Sequence, residues 1–183
     1  PRSTLSSSSA ASDVYKRQLQ EVFSAVRELA DLVPELEVLY PVHPNPRVLE
    51  PAWEILSGHP RIHLTDPLGY LDLVQALAAS RLVLTDSGGI QEEAPTFGTP
   101  VLVLRQVTER PEGVEAGVAR LVGTDRETIL REALALLRED ASAAAARATL
   151  NPYGDGRAGE RIADIVHASL TGEPRRTSDW DPS

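Results

Sequence analysis

The chain has 183 residues, a formal net charge of −9, and neither cysteine nor methionine. Disulfides, thiolate catalysis and Cys-ligated zinc are therefore excluded, and the four histidines show no metal-ligand spacing, so we expect no metal. The acidic balance without a basic cluster argues against nucleic acid, and the absence of an apolar run of about 18 residues argues against a membrane span, so a cytoplasmic protein is expected.

The first 18 residues, PRSTLSSSSAASDVYKRQ, are serine-rich and lack a hydrophobic period. Because such a composition buries too little apolar surface to offset the cost of ordering, residues 1–18 are predicted to be a disordered leader that is not native to the protein. The chain also begins without methionine, which favours a piece of a longer protein. Residues 19–170 are predicted to form one domain, and residues 171–183 a polar tail.

Helices and strands alternate through the first half of the domain. Apolar residues recur at helical spacing from Leu19, and Pro34 ends that helix. Short apolar runs between turn residues predict strands. The predicted elements that follow are a strand at 38–42, a helix from Pro46 through Leu56, a strand at 62–64 and a helix at 70–79.

The second half continues the same alternation. The run LVLT at 82–85 is typical of a parallel strand that is covered on both faces. Thr124 or Asp125 is a natural N-cap for a long amphipathic helix. The predicted elements are a helix ending at Ala94, a strand at 101–104, a helix at 112–116, a strand at 119–122, and helices at 125–139 and 158–170.

This alternation predicts an α/β fold, a Rossmann-like doubly wound parallel sheet with helices on both faces. In such sheets ligands bind beyond the carboxyl ends of the strands. The candidate site is therefore expected in the loops that follow the strands.

The segment LTDSGGIQEEAP, residues 84–95, joins a buried strand to a helix through two glycines. Gly88 and Gly89 let backbone N–H groups approach a ligand, Ser87 adds a hydroxyl, and the helix N-terminus favours an anion. This combination predicts a diphosphate cradle. Gly-Gly alone would be equally compatible with a tight turn that binds nothing.

Three further side chains are expected at the same edge of the sheet, and each has an alternative role that involves no ligand. Glu93, about one turn into the helix, suits ribose hydroxyls, although a carboxylate there also complements the helix dipole. Glu92 is expected to point elsewhere. Arg110 could bind a phosphate, or could form a surface salt bridge with its neighbours in TERPEG. His43 could contact a ligand or cap its own loop.

The motifs YPVHPNP, LVLTDSGGIQEEAPTFGTPVLVLR, TERPEG, RLVGTD and NPYGDG, in this order, resemble the non-hydrolysing UDP-N-acetylglucosamine 2-epimerases. The resemblance runs from about Leu19 to about Leu170. It implies the C-terminal half of a glycosyltransferase-B-type fold and reversible C2 epimerisation of UDP-N-acetylglucosamine to UDP-N-acetylmannosamine. The reaction would eliminate UDP to give a glycal and add it again after rotation, without a cofactor.

The resemblance also implies roles for individual residues. Ser87, Gly88 and Gly89 would hold the diphosphate, Glu93 the ribose, and Arg110 the charged part of the nucleotide. Uracil would lie against Leu68 and Leu73, which are plain leucines that leave base recognition to the backbone. His43 would lie near a second, allosteric UDP-N-acetylglucosamine site.

The chain departs from the family at its start. The family's HRREN segment would fall at about residues 10–14, where this chain has AASDV. The resemblance therefore implies that the catalytic histidine is missing here and that the acid/base carboxylates belong to an N-terminal Rossmann domain outside this chain. We therefore expect weak binding without turnover by the fragment, a homodimer for the full-length enzyme, and a last helix that faces the missing domain with an exposed apolar face.

Three other functions remain open from the sequence alone. The same cradle would serve the C-terminal domain of a UDP-sugar glycosyltransferase, or of a hydrolysing epimerase. A non-catalytic nucleotide-sugar binding module is the rival from a different class. It predicts tight UDP binding by the isolated chain.

Overall fold

The computed structural model describes residues 6–139 and 151–181, with side chains from residue 13. Its elements confirm the predicted α/β class. The strands are β1 (Val38–Pro41), β2 (Ile62–Thr65), β3 (Val83–Thr85), β4 (Val101–Val103) and β5 (Ala119–Leu121). The helices are α1 (Ser6–Leu32), α2 (Pro46–Leu56), α3 (Tyr70–Ala79), α4 (Gly88–Glu93), α5 (Pro111–Glu115), α6 (Arg126–Leu137) and α7 (Ala158–Thr171), and a 3₁₀ turn (Ala94–Phe97) follows α4.

Helix α1 begins earlier than the sequence predicted. It is continuous over 27 residues from Ser6, so the part of the expected disordered leader between residues 6 and 18 is helical. Extending a helix costs less than nucleating one, and no proline or glycine interrupts this stretch, so the packed helix after Leu19 is extended backwards. Val14 and Tyr15 remain exposed, and the extension therefore buries little. Residues 1–5 of the leader and 182–183 of the tail lie outside the described residues.

All five strands are parallel, but they form two sheets rather than one. Strand β1 pairs with β2, with Val38 opposite Ile62. Strand β4 lies between β3 and β5, with Val101 opposite Val83 on one side and Ala119 on the other. Strands β1 and β3 are not hydrogen-bonded to each other.

The two sheets nevertheless share one hydrophobic core on the face covered by α1, α2 and α6. Val38, Tyr40, Leu64, Leu84 and Leu102, which come from four different strands, all pack in this cluster. A second cluster, under α3, α4 and α5, covers the opposite face of the three-stranded sheet. Helices thus lie on both faces, as the doubly wound prediction requires.

Strand β4 is the most completely buried strand. Val101 and Val103 face the second cluster while Leu102 faces the shared core, and all three are at most 1% exposed. A strand covered on both faces needs a continuous apolar run, which VLV provides.

Two arginines join α1 to the elements beside it. The guanidinium of Arg61 donates hydrogen bonds to the carbonyl oxygens of Ala30, Val33 and Leu36 at the end of α1. Arg27 of α1 donates to the carbonyl oxygen of Ile55 at 2.6 Å, near the end of α2. Of these acceptors, Ala30 and Ile55 lie in the last turns of α1 and α2, where carbonyl groups lack a partner within the helix.

The apolar face of α7 is largely uncovered, as expected from the sequence. Ile162, Ile165, Val166 and Leu170 are between 43% and 81% exposed. In the described ranges, no helix is long and apolar enough to cross a membrane.

Candidate functional site

The segment predicted to cradle an anion forms a tight turn at the carboxyl end of β3. The side-chain oxygen of Thr85 accepts a hydrogen bond from the Ser87 N–H at 3.0 Å, which bends the chain into α4. Ser87 is the N-cap residue of α4, yet its hydroxyl makes no cap hydrogen bond. The first bond inside the helix runs from the Gln91 N–H to the Ser87 carbonyl oxygen, so the N–H groups of Gly88 and Gly89 precede it.

Arg110 lies over this turn. A Cβ atom on Gly88 would stand 3.7 Å from the nearest guanidinium nitrogen of Arg110. The structure therefore brings together the Gly-Gly turn and the arginine that the sequence placed at the same edge of the sheet.

The salt-bridge partner of Arg110 differs from the sequence-based alternatives. Its Nε donates to a carboxylate oxygen of Glu92, and Glu109 accepts only through its backbone carbonyl. The expectation that Glu92 points away from the site is wrong, because α4 and the loop before α5 bring the two side chains together. The hydrogen bond to the Glu92 carboxylate raises the pKa of Arg110 above its ordinary value, and the guanidinium is charged at any physiological pH.

A buried amide fixes the arginine loop against α4. Gln91 is 1% exposed, and its Oε1 accepts a 2.6 Å hydrogen bond from the Thr108 hydroxyl. The same Thr108 oxygen accepts from the backbone N–H of Arg110 at 3.1 Å. Sequence reasoning missed Gln91, although a polar residue among the inward positions of a helix was an available signal, since buried polar groups are hydrogen-bonded.

Glu93 lies beside the turn, and one of its carboxylate oxygens has no hydrogen-bond partner among the described residues. Its Oε2 is buried and has no hydrogen-bond partner. A Cβ atom on Gly89 would stand 3.9 Å from the other oxygen, so the carboxylate adjoins the Gly-Gly turn. A buried unpaired acceptor is costly, by about 1–3 kcal/mol, and a hydroxyl donor would remove that cost.

Tyr153, which sequence reasoning did not single out, packs under the arginine loop. Its hydroxyl lies too close to Gly113 to leave room for a Cβ atom there, and burial raises the pKa of the phenol. Asn151 holds the turn that carries it: Oδ1 accepts from the Tyr153 N–H, and Nδ2 donates to the Thr96 hydroxyl at 3.2 Å. The NPYGDG turn thus supports α5 and the end of the 3₁₀ turn from outside.

This packing gives a stability prediction for Gly113. Alanine there would overlap the Tyr153 hydroxyl, and we expect the free energy of unfolding to fall by about 1–3 kcal/mol. Because Tyr153→Phe removes the overlapping oxygen, the same alanine should cost clearly less in that background. Urea denaturation of the four proteins of this cycle measures the coupling. Equal costs in both backgrounds would contradict the proposed overlap.

The remaining predicted residues lie on the same edge but apart from the turn. Leu68 is half-buried in the loop between β2 and α3, and Leu73 packs in the second core cluster from the first turn of α3. His43 is exposed after β1, and its Nδ1 accepts the Asn45 N–H at 3.1 Å. The loop-capping alternative for His43 is therefore present in the structure.

Parallel strands covered on both faces, with polar groups gathered where β3 and β4 end, define a Rossmann-like α/β domain. A family model described as UDP-N-acetylglucosamine 2-epimerase matches residues 11–167. The chain belongs to this family.

Known relatives agree with this assignment. The chain is 45% identical over 152 residues to the UDP-N-acetylglucosamine 2-epimerase of Escherichia coli K12, which covers 83% of the chain and 40% of that enzyme. A structure of S. aureus MnaA with UDP superposes with a TM-score of 0.81 at 44% identity, covering 90% of this chain and 45% of that one. For the Neisseria meningitidis UDP-GlcNAc 2-epimerase bound to UDP-GlcNAc, the TM-score is 0.75 at 37% identity, covering 82% and 41%.

These likenesses confirm the Rossmann-like, glycosyltransferase-B-type fold that the sequence predicted. The chain spans about 40% of the length of the curated relatives that it matches. The match also begins inside the expected leader, at residue 11.

Proposed function

We propose that this chain supplies the UDP-binding side of the cleft in which a UDP-N-acetylglucosamine 2-epimerase works. The full reaction would be the reversible C2 epimerisation of UDP-N-acetylglucosamine to UDP-N-acetylmannosamine. The proposal rests on the family and on one observation above all, the charged Arg110 guanidinium lying over a Gly-Gly turn beside a buried, unpartnered carboxylate oxygen.

The polar groups at the turn complement the separate parts of UDP. The N–H groups of Gly88 and Gly89, the Ser87 hydroxyl and the Arg110 guanidinium would bind the diphosphate, since all of them donate hydrogen bonds. Glu93 can only accept when ionised, which suits the ribose hydroxyls and not a phosphate. Leu68 and Leu73 offer apolar contact for uracil.

The known structures support the ligand class. MnaA of S. aureus was solved with UDP, and the Neisseria meningitidis enzyme with UDP-GlcNAc. At 44% and 37% identity to these proteins, a shared nucleotide site is the simplest expectation for this chain.

The chemical step needs groups beyond those that the turn provides. Elimination of UDP removes a proton from C2 of the sugar and breaks the C1–O bond, leaving a glycal. Re-addition of UDP with protonation from the other face gives the epimer. A base and an acid each contribute about 10²–10⁴ in rate, and we assign them to an N-terminal domain. We expect this chain alone to bind UDP without turnover, and the whole enzyme to be a homodimer.

The proposal is tested by titrating UDP into the chain and into Gly89→Asp by calorimetry. The backbone at Gly89 has no positive φ, and a Cβ there makes only ordinary contacts, so the variant should fold. Its carboxylate would repel the diphosphate, and we expect binding to fall below detection.

Gly159→Asp is the matched control, because Gly159 lies on α7 with nothing within 4 Å of a new Cβ. It should bind UDP as the parent does. Failure of the folded parent to bind, or equal binding by all three proteins, would overturn the assignment. Tight binding by the chain alone would favour a non-catalytic nucleotide-sugar module.

A further inference from the structure

Three consecutive hydrogen bonds join the arginine loop, residues 104–110 between β4 and α5, to the Gly-Gly turn. The backbone N–H of Arg110 donates to the Thr108 hydroxyl oxygen at 3.1 Å, and that hydroxyl donates to Oε1 of Gln91 at 2.6 Å. Nε2 of Gln91 then donates to the carbonyl oxygen of Ser87 at 3.2 Å. Thr108 and Gln91, here called the hydroxyl–amide relay, thus connect the two sides of the proposed phosphate site.

At one end, the relay fixes the backbone of Ser87. The Ser87 carbonyl oxygen accepts from both the backbone N–H and the side-chain amide of Gln91. The Ser87 N–H donates to the side-chain oxygen of Thr85. Both backbone groups of Ser87 are therefore bonded within the protein, while its hydroxyl makes no helix-cap hydrogen bond and can turn toward a ligand.

At the other end, the relay holds the backbone of Arg110, whose guanidinium is bonded on two sides. Its Nε donates to the Glu92 carboxylate, and one terminal nitrogen donates to the Glu109 carbonyl oxygen at 3.2 Å. The other terminal nitrogen is the atom that a Cβ on Gly88 would meet at 3.7 Å. The guanidinium thus presents its remaining side to the Gly-Gly turn, and a shift of the relay would displace it.

Both members of the relay need the functional groups that they carry. Thr108 donates and accepts through a single oxygen, which a hydroxyl can do. Gln91 accepts from a hydroxyl and donates to a carbonyl, which an amide can do and an ionised carboxylate cannot. Because Gln91 is 1% exposed, bulk water cannot replace a partner that the relay loses.

We propose that Gln91 and Thr108 are positioning residues for diphosphate recognition, which act through Arg110 by fixing its guanidinium relative to the Gly-Gly turn. This inference rests on the proposed UDP site. Hydrogen bonds to phosphate require donor–acceptor distances of about 2.7–3.2 Å, so a loop that moves by about 1 Å loses them.

Two consequences distinguish positioning from a general contribution to stability. The relay should matter only for ligands that carry phosphate, because the guanidinium would not meet the nucleoside. Its contribution should also disappear when Arg110 is removed, and it cannot exceed the contribution of Arg110 itself. Residues that act through one another in this way are non-additive in a double-variant cycle.

The test is a double-variant cycle of Thr108→Val and Arg110→Met in the full chain, with UDP and uridine titrated by NMR. Valine keeps the shape of threonine and removes its hydroxyl. We expect Thr108→Val to weaken UDP binding about tenfold and uridine binding less than about twofold. In the Arg110→Met background, Thr108→Val should weaken UDP binding no further.

Two further variants serve as controls. Thr108→Ser keeps the hydroxyl and should restore most of the UDP affinity that valine loses. Thr99→Val is the matched control, because Thr99 is 4% exposed and its hydroxyl donates to the carbonyl oxygen of Leu77 at 3.0 Å, before β4 rather than after it. It should lower the stability of the chain and leave the binding of both ligands unchanged.

A measurement on the parent chain keeps the test decisive if Thr108→Val does not fold. Saturating UDP should shift the NMR signals of the Gln91 side-chain amide and slow hydrogen exchange at the Arg110 N–H, whereas uridine should do neither. Equal effects of the two ligands, or the same loss of UDP binding with and without Arg110, would overturn the relay and leave the UDP site standing. A folded parent that binds no UDP would overturn the site itself, and the role of the relay with it.

Discussion

Replacing Leu102 with alanine is expected to lower the free energy of unfolding by about 3 kcal/mol, within the range of about 2–5 kcal/mol for a buried leucine. Leu102 is fully buried in the middle of β4, the central strand of its sheet, and packs in the core that both sheets share. The ladders of β4 to β3 and β5 prevent collapse around the cavity. Urea denaturation followed by circular dichroism measures the loss.

Leu170→Ala is the matched control, because Leu170 is 81% exposed on α7. Its free energy of unfolding should change by no more than about 0.5 kcal/mol. Typical domains are stable by about 5–15 kcal/mol, so Leu102→Ala removes a large fraction of the total. Similar losses from the two substitutions would show that the shared core does not carry the stability of the fold.

Replacing Arg110 with methionine is expected to weaken UDP binding at least tenfold, while uridine binding stays nearly unchanged. Hydrogen bonds to charged groups contribute about 1.5–3 kcal/mol, and 1.4 kcal/mol corresponds to a tenfold change. The selectivity for UDP arises because the guanidinium would meet the diphosphate and not the nucleoside. Calorimetric titration with both ligands measures it, and the prediction rests on the proposed UDP site.

Two effects could weaken UDP binding in Arg110→Met: loss of a contact with phosphate, and repulsion by the Glu92 carboxylate. A double variant distinguishes them. Without Arg110, the Glu92 carboxylate is left unpaired near the phosphates. If Arg110 itself binds the phosphate, Arg110→Met with Glu92→Gln should still bind UDP weakly. Full recovery in the double variant would contradict a direct contact. Arg131→Met, which removes the same charge from the exposed face of α6, should bind as the parent does.

The features that local sequence determines were predictable. Asp125 caps α6 as expected, since its side chain accepts from the Thr128 N–H at 2.9 Å. Helix α3 has its predicted bounds, and the parallel strands fall within one residue or two of the predicted runs. Apolar runs, caps and turn residues act over a few positions, so a single sequence contains them. The Gly-Gly turn was found for the same reason.

Long-range pairings were not predictable in this way. Arg110 pairs with Glu92, 18 positions away, rather than with a neighbour in TERPEG. Tyr153 packs on Gly113, and nothing in either local pattern indicates that contact. The sequence also did not predict that β1 and β3 are unpaired with each other. Each strand has a typical strand composition, and only the pairing of the strands in the structure shows the interruption. Local helical propagation likewise overrode the disordered composition before Leu19.

The hydrogen bonds of Arg61 and Arg27 leave the N-terminal end of α1 free to open and fix its C-terminal end. Arg61 binds three carbonyl groups there and Arg27 links α1 to α2, whereas Val14 and Tyr15 near the other end are exposed. Amide protons of α1 should therefore exchange with solvent in a gradient, fastest toward Ser6 and slowest around Leu29. The guanidinium groups of Arg61 and Arg27 stay charged at every physiological pH. The order of exchange along α1 should therefore not change with their protonation. Helix α1 thus frays from one end only, and its anchored end stays fixed to α2 and to the loop before β2.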